Sequence, residues 1–325
     1  MKIGIFGAGA LGSLLGAYLS KKHDVTLYGR QNHIEKISST ALKILGINGE
    51  KEYELRAVSE LSDEHFDLGI VGVKTYDTDN LLNYLKNNRI KFDLVASIQN
   101  GLKDDKLISS FGLERVLGCV VNEAAKMTAP GEIYYSNKGA TYFGIFKEEN
   151  NTIKQEMAED LTSVLNDCGL LTGVSNDLET LTWYKFMNCV SGFAVSGALN
   201  YNAVELFNND FALELLLDSL EEIKTVSLAE NILLGDHPLL LSNFLIDRKE
   251  SKLKFYSLGK KLIEIESPVS SLVQDIRLGK KLTEADSTLG VLLDKAQNHN
   301  LSAKTIEICY KMIKSRERVN QFNFS

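Results

Sequence analysis

Proline, tryptophan, histidine and cysteine are all scarce: the 325 residues include 3 Pro, 1 Trp, 5 His and 4 Cys. The shortage of Pro, the strongest helix breaker, excludes Pro-rich linkers and leaves long stretches free to be helical. Cys119, Cys168, Cys189 and Cys309 stand far apart with no CxxC pair. That excludes a disulfide or zinc framework and points to buried free thiols in a reducing compartment. His23, His33, His65, His237 and His299 show no ligand spacing, so no metal and no His-based catalysis is expected. A basic surplus is missing too. Lys and Arg number 36 against 43 Asp and Glu, a net charge of -7, the opposite of a nucleic-acid-binding balance. No apolar run reaches the length of a membrane span. The apolar start is diluted by Gly7, Gly9, Gly12 and Gly16 and lacks a small-residue cleavage signature. The expectation is a cytoplasmic protein with neither nucleic-acid nor membrane partners.

What is present is an alternation of strand and helix over the first half. Short apolar strands are predicted at 2–6 and 25–28, with an amphipathic helix at 10–21 between them. A helix at 32–38 and strands at 42–45 and 53–57 follow. Residues 67–73 are apolar nearly throughout, as in a strand buried on both faces of a parallel sheet. A helix at 78–86 leads to strands at 93–98 and 115–120. Residues 132–136 and 141–145 alternate like a hairpin around Asn137-Lys138-Gly139. After a helix at 152–168 and a strand at 170–174 no further strand is expected. Residues 203–234 read as one long helix, Asp236-His237-Pro238 as the start of the next, and 302–318 as a final amphipathic helix. The fold class is therefore an α/β N-terminal Rossmann domain with a doubly wound, mostly parallel sheet, followed by an all-α C-terminal domain. The expected domains are 1–176 for the dinucleotide and 177–325 for substrate and catalysis. The Leu-rich stretch at 213–234 suits core or a dimer surface, so a homodimer is permitted but not required.

Gly7-Ala8-Gly9-Ala10-Leu11-Gly12 is a G-x-G-x-x-G run between a strand and a helix. The first Gly permits a tight turn, the second lets a pyrophosphate approach the backbone, and the third lets helix and strand pack closely. The second strand ends in Tyr28-Gly29-Arg30, without the carboxylate that binds a ribose 2′-hydroxyl. Arg30 is suited instead to a 2′-phosphate, which predicts NADP(H). Val73-Lys74-Thr75-Tyr76-Asp77 and Ile98-Gln99-Asn100-Gly101 follow two more strands, at the sheet edge where α/β proteins bind ligands.

Together with Pro130-Gly131, Gly144, Trp183-Tyr184-Lys185, Asn188, the run from Ser270 to Ile276 (SSLVQDI) and Thr283-Glu284-Ala285-Asp286, these residues resemble the ketopantoate reductase (2-dehydropantoate 2-reductase) family. The resemblance spans residues 1 to about 317. It implies a Rossmann domain and a helical domain with the active site in the cleft between them, and NADPH-dependent reduction of ketopantoate to pantoate on the way to pantothenate and coenzyme A. By the same resemblance the loop from Gly7 to Gly12 holds the pyrophosphate and Arg30 the 2′-phosphate, with Lys74 and Asn100 beside the cofactor. Lys185 is the general acid, Asn188, Ser271 and Asn100 hold the 2-oxo acid, and Glu284 binds its hydroxyl and the nearby Lys.

The chemistry fits these residue types. Hydride arriving at a ketone carbon puts negative charge on oxygen, which an ammonium stabilises and then protonates. A carboxylate nearby keeps that ammonium charged. Other readings stay open on the sequence. Lys185 also suits a snorkelling helix position. Glu284 also suits the first turn of a helix opened by Thr283. Ser271 also suits helix-start chemistry after Pro268. Asn188 follows Lys185 by three residues where the family spacing is four, which would put Cys189 in that place unless a π- or 3₁₀-adjustment restores Asn188. Two rival functions follow: a same-fold reductase of another 2-oxo acid or an imine, and a non-catalytic NADP(H)-binding sensor.

Overall fold

The computed structural model describes residues 1–146, 150–234, 247–263 and 269–321, with side chains through Glu317. The chain divides into two compact units. Residues 1–99 and 103–181 form the first; residues 100–102 and 182–325 form the second.

The first unit runs β1 (Lys2–Phe6), α1 (Ala10–Leu19), β2 (Asp24–Tyr28), α2 (Gln31–Thr40), β3 (Leu42–Gly46), β4 (Lys51–Tyr53), β5 (Arg56–Val58), β6 (His65–Val71), α3 (Thr78–Asn87), β7 (Lys91–Ser97), α4 (Asp104–Phe111), β8 (Gly118–Val120), β9 (Ala124–Ala129), β10 (Glu132–Asn137), β11 (Ala140–Gly144), α5 (Thr152–Asp167) and β12 (Leu171–Ser175). Five strands make a parallel sheet in the order β5-β2-β1-β6-β7. The chain leaves β1 for one side of the sheet and later returns to the other. The carboxyl ends of β1 and β6 therefore form the topological switch point, where such sheets bind ligands. Side chains of β1 divide between the faces. Ile3 and Ile5 pack with Leu14, Leu15 and Leu27 on one. Phe6 meets Phe66 and Phe92 edge-on at 5.7 and 5.2 Å on the other. Each such fully buried side chain contributes about 1.5–3 kcal/mol relative to an exposed one.

Two smaller sheets complete the unit, β4-β3-β10-β9 and β12-β11-β8. They correct two sequence expectations. The hairpin at 132–145 does not form: β10 pairs antiparallel with β9, and β11 with β8 and β12. The hairpin turn is Pro130-Gly131, where Gly131 takes φ +77°. Gly139 instead lies against Asn122, whose carbonyl oxygen would be 2.0 Å from a Cβ there. The strand expected at 53–57 is two strands in different sheets, β4 antiparallel to β3 and β5 parallel to β2.

The second unit is helical: most of α6 (Leu178–Leu199), then α7 (Ala203–Phe207), α8 (Asp210–Ala229), α9 (Arg248–Ile263), α10 (Ser271–Arg277), a π-helical turn at Asp286–Gly290, α11 (Val291–Asn298) and α12 (Lys304–Gln321). Its core joins Phe186, Met187 and Val190 of α6 to Leu213, Leu216 and Leu220 of α8 and Ile306 and Ile313 of α12. The single helix expected over 203–234 is interrupted at Asn208-Asn209. The Asn209 side chain caps α8 by accepting from the Ala212 N–H at 3.0 Å. The helix start at Asp236-His237-Pro238 and the position of Pro268 lie outside the described residues. Among the described residues no helix is long and apolar enough to cross a membrane.

Candidate active site

The glycine turn connects β1 to α1. Gly7 takes φ +118°, and a Cβ on it would stand 2.3 Å from the Val73 nitrogen. A Cβ on Gly12 would stand 2.3 Å from the Gly7 carbonyl oxygen. Both positions are closed to any side chain. Around Gly9 a Cβ would meet nothing within 4 Å. The backbone is thus bare on its open side, just where α1 begins. Gly9 caps α1 without a side-chain hydrogen bond, and no acidic residue sits in the first turn of Ala10, Leu11 and Gly12. The N–H groups and positive dipole end of the helix face that space, an arrangement that suits a phosphate. Ala8 is buried, and its N–H is held by the Tyr28 carbonyl at 2.9 Å.

Tyr28, at the end of β2, lies 5.0 Å from the Tyr84 ring, and burial pushes its hydroxyl up to about 12. Arg30 is exposed at the start of α2, and its guanidinium has no hydrogen bond or ion pair among the described residues. Beside it a cavity of about 660 Å³ is lined by Gln31, Ile34, Ser38, Ala57, Val58 and Glu60, among others. On the other side of the switch point, Lys74 starts a half-buried 3₁₀ turn at Thr75–Asp77. Gln99 is buried, and its amide donates to the Val73 carbonyl and the Thr78 hydroxyl, both at 2.8 Å. This single side chain fixes the Lys74 loop to the end of β7. The sequence reading gave Gln99 no role; a Gln directly after a buried strand was the available signal.

In the second unit a carboxylate gathers the other residues. Glu284 is 3% exposed, on the turn that precedes the π-helical segment. Its Oε2 accepts from Asn100 Nδ2 and from Ser271 Oγ, both at 3.4 Å. Gly101 makes the first contact possible: at φ +88° its Cα is so close to the Ser287 carbonyl oxygen that a Cβ would stand 2.6 Å away. Ser270, not Ser271, performs the helix-start chemistry, accepting from the Val273 N–H at 3.3 Å to cap α10. Ser271 is thereby left to turn toward Glu284.

Helix α6 supplies a polar stripe. Lys185, Asn188, Cys189 and Gly192 are half-buried, while Phe186, Met187 and Val190 between them are buried. The helix is α-helical throughout, so no local adjustment shifts Asn188 toward the next position. Cys189 stands within the influence of both charges. Burial pushes its thiol up, the Lys185 ammonium opposes this and the Glu284 carboxylate adds to it. A Cβ on Gly192 would meet nothing within 4 Å. Asn100, Ser271 and Glu284 are thus joined by hydrogen bonds, and Lys185 and Glu284 both act on the Cys189 thiol. Among the described residues no group of three or more His, Cys, Asp or Glu side chains could hold a metal ion.

A Rossmann sheet with a glycine turn at its switch point, joined to a helical unit in which Asn100 and Ser271 donate to a buried carboxylate, is the pattern of a dinucleotide-binding oxidoreductase. The chain belongs to the ketopantoate reductase family: the family models described as Ketopantoate reductase PanE/ApbA and its C terminal match residues 3–148 and 177–317. It is 30% identical over 320 residues to the 2-dehydropantoate 2-reductase of Pyrococcus abyssi, covering 98% of both chains. Among solved structures, its fold is similar to 2-dehydropantoate 2-reductase from Geobacter metallireducens, with a TM-score of 0.81 at 19% identity over 97% of this chain and 99% of that one. It is equally similar to D-mandelate dehydrogenase bound to NADH and anilino(oxo)acetate, with a TM-score of 0.82 at 21% identity over 99% of this chain and 100% of that one.

Proposed function

We propose that the protein reduces ketopantoate to pantoate with NADPH. The observation that carries this reading is Glu284, a buried carboxylate that accepts from both Asn100 and Ser271, with Lys185 and Glu284 each acting on the Cys189 thiol. A carboxylate kept this dry is costly unless it has a charged or donor partner to serve. The bare backbone at Gly9, with Gly7 and Gly12 closed, fits a pyrophosphate laid against the start of α1. Arg30 would pair with the 2′-phosphate, and the cavity beside α2 would take the adenosine end. Lys74 would stand at the nicotinamide side. When bound, the cofactor supplies the hydride.

The chain's own residues do the rest. The Lys185 ammonium takes the charge that develops on the ketone oxygen and then gives it a proton, a contribution typically worth about 10²–10⁴ in rate. Glu284 accepts the hydroxyl hydrogen of the product and keeps Lys185 charged. Asn100 and Ser271, already on Oε2, hold the carboxylate while presenting their remaining hydrogen-bonding capacity to the 2-oxo acid. Asn188 lies on the same stripe.

Cys189 and the open space at Gly192 favour a second reading, a 2-oxo acid with a different C3 substituent. The similarity in fold to D-mandelate dehydrogenase supports keeping that substrate class in the assay. Loss of reduced-nicotinamide absorbance, measured with NADPH and NADH against ketopantoate and a panel of 2-oxo acids, tests both. Ketopantoate turnover that falls at least about 100-fold in Lys185→Ala supports the first reading. Turnover of other 2-oxo acids alone would replace it by the second, and tight NADPH binding without turnover would leave a sensor.

A further inference from the structure

The turn that carries Glu284 has no regular secondary structure of its own, yet its geometry is fully determined from outside. Three residues on one face of α12, at Tyr310, Lys314 and Glu317, reach it in successive turns of helix. Glu317 is 2% exposed. Its Oε1 accepts from the Thr283 N–H at 2.9 Å and from the Thr283 hydroxyl at 2.5 Å. Its Oε2 faces the Lys314 ammonium. Lys314 also reaches Asp286 Oδ2 at 2.8 Å, and the Tyr310 hydroxyl donates to Asp286 Oδ1 at 2.7 Å. Inside the turn, Thr283 Oγ accepts from the Ala285 N–H at 3.2 Å, and the Glu284 carbonyl accepts from the Thr288 hydroxyl at 2.6 Å. Thr283, directly before Glu284, and Asp286, two residues after it, are therefore each clamped to α12. A second buried carboxylate so close to the first is expensive, and its two hydrogen bonds from one residue are of the strong, charge-assisted kind.

We propose that Glu317 is the positioning residue for Glu284: by holding both donors of Thr283 it fixes the turn that presents the Glu284 carboxylate to Asn100, Ser271 and the Lys185–Cys189 face of α6. The inference rests on Glu284 being the substrate-facing carboxylate. Lys314 and Asp286 steady the far end of the same turn. A displacement of about 1 Å in a group that binds a reacting substrate costs up to about 100-fold in rate.

The test compares Glu317→Ala, Glu317→Gln and Thr283→Val in the full chain by two readouts. The first is kcat and KM for the 2-oxo acid alongside the Kd for NADPH. The second needs no turnover: the rate of alkylation of Cys189 against pH, read by mass spectrometry, because burial holds that thiol's titration up and the Glu284 carboxylate adds to it. Glu317→Ala should lower kcat/KM by about 10- to 100-fold with the NADPH Kd within about twofold, and should shift the Cys189 midpoint down. Glu317→Gln keeps an acceptor oxygen for Thr283 and should stay within about threefold of the unmodified protein with the midpoint kept. Thr283→Val should follow the Ala variant, and decides the matter if the Ala variant does not fold. An unchanged Cys189 midpoint in Glu317→Ala and Thr283→Val overturns the proposal, even if activity falls. Failure of the unmodified protein to reduce any 2-oxo acid would sink the proposed function instead, and the alkylation readout would still decide where Glu317 holds the turn.

Discussion

Gly9 and Gly12 lie three residues apart and are glycine for opposite reasons. A Cβ on Gly12 would run into the Gly7 carbonyl at 2.3 Å, whereas one on Gly9 would enter empty space. Gly12→Ala should therefore destabilise the first unit by about 1–3 kcal/mol, as overpacking does, seen as a lower thermal midpoint without any ligand. Gly9→Ala should leave that midpoint close to normal and weaken NADPH at least about tenfold in a fluorescence titration. Undiminished NADPH affinity in Gly9→Ala would remove this loop from the cofactor site. His33 makes a pH-dependent contribution of its own. Its Nδ1 accepts the Gly131 N–H at 2.9 Å, so Nε2 carries the hydrogen and donates to Ser13 Oγ at 3.0 Å. Burial holds its pKa below the ordinary 6.5. The unfolded chain takes up this proton at a higher pH than the folded one. The stability it contributes is thus complete above pH 6.5 and is lost as pH falls through the folded value. His33→Gln should flatten the fall in urea-unfolding free energy between about pH 7.5 and 5. An equal slope in both proteins would show that other groups carry the acid sensitivity.

At the scale of elements, the sequence reading succeeds where a strand is buried on both faces and fails where two local signals compete. The strands at β1, β6 and β7 are legible because their apolar runs admit no other place in a parallel sheet. Pro130-Gly131 and Asn137-Lys138-Gly139 both carry turn chemistry, and the long-range pairing of β10 with β3 accompanies the β9–β10 hairpin that uses the first. The break before α8 falls inside an unbroken helical periodicity. It depends on Asn209 preferring to cap rather than to continue, which spacing of apolar residues does not report. Asn209→Ala should remove that cap and cost about 1 kcal/mol in urea unfolding, with kcat/KM unchanged. A neutral effect would mean that packing of Leu213 and Leu216, not the cap, sets the helix start. The candidate site is legible to a similar degree. Glycines and strand-end polar residues announce themselves by position. Glu317 does not, since its partner Thr283 lies 34 residues away and nothing in the sequence around Glu317 links the two.

The molecule as a whole has separate hydrophobic cores, those of the sheet unit and that of the helical unit. The border between them is not crossed once but three times, because Asn100, Gly101 and Leu102 leave the sheet unit, join the helical one, and the chain returns at Lys103. Leu102 packs on the helical core and Asn100 reaches Glu284, while Gly101 presses against Ser287. As an inheritable module, then, the helical part is not a continuous stretch of gene. A fusion or recombination that transplants everything from Thr182 onward leaves these three residues behind, and with them Asn100, a donor to the Glu284 oxygen. A helical half moved onto a foreign domain would keep the Asn100 and Gly101 contacts to Glu284 and Ser287 only if its new partner brought an Asn-Gly at the matching strand end.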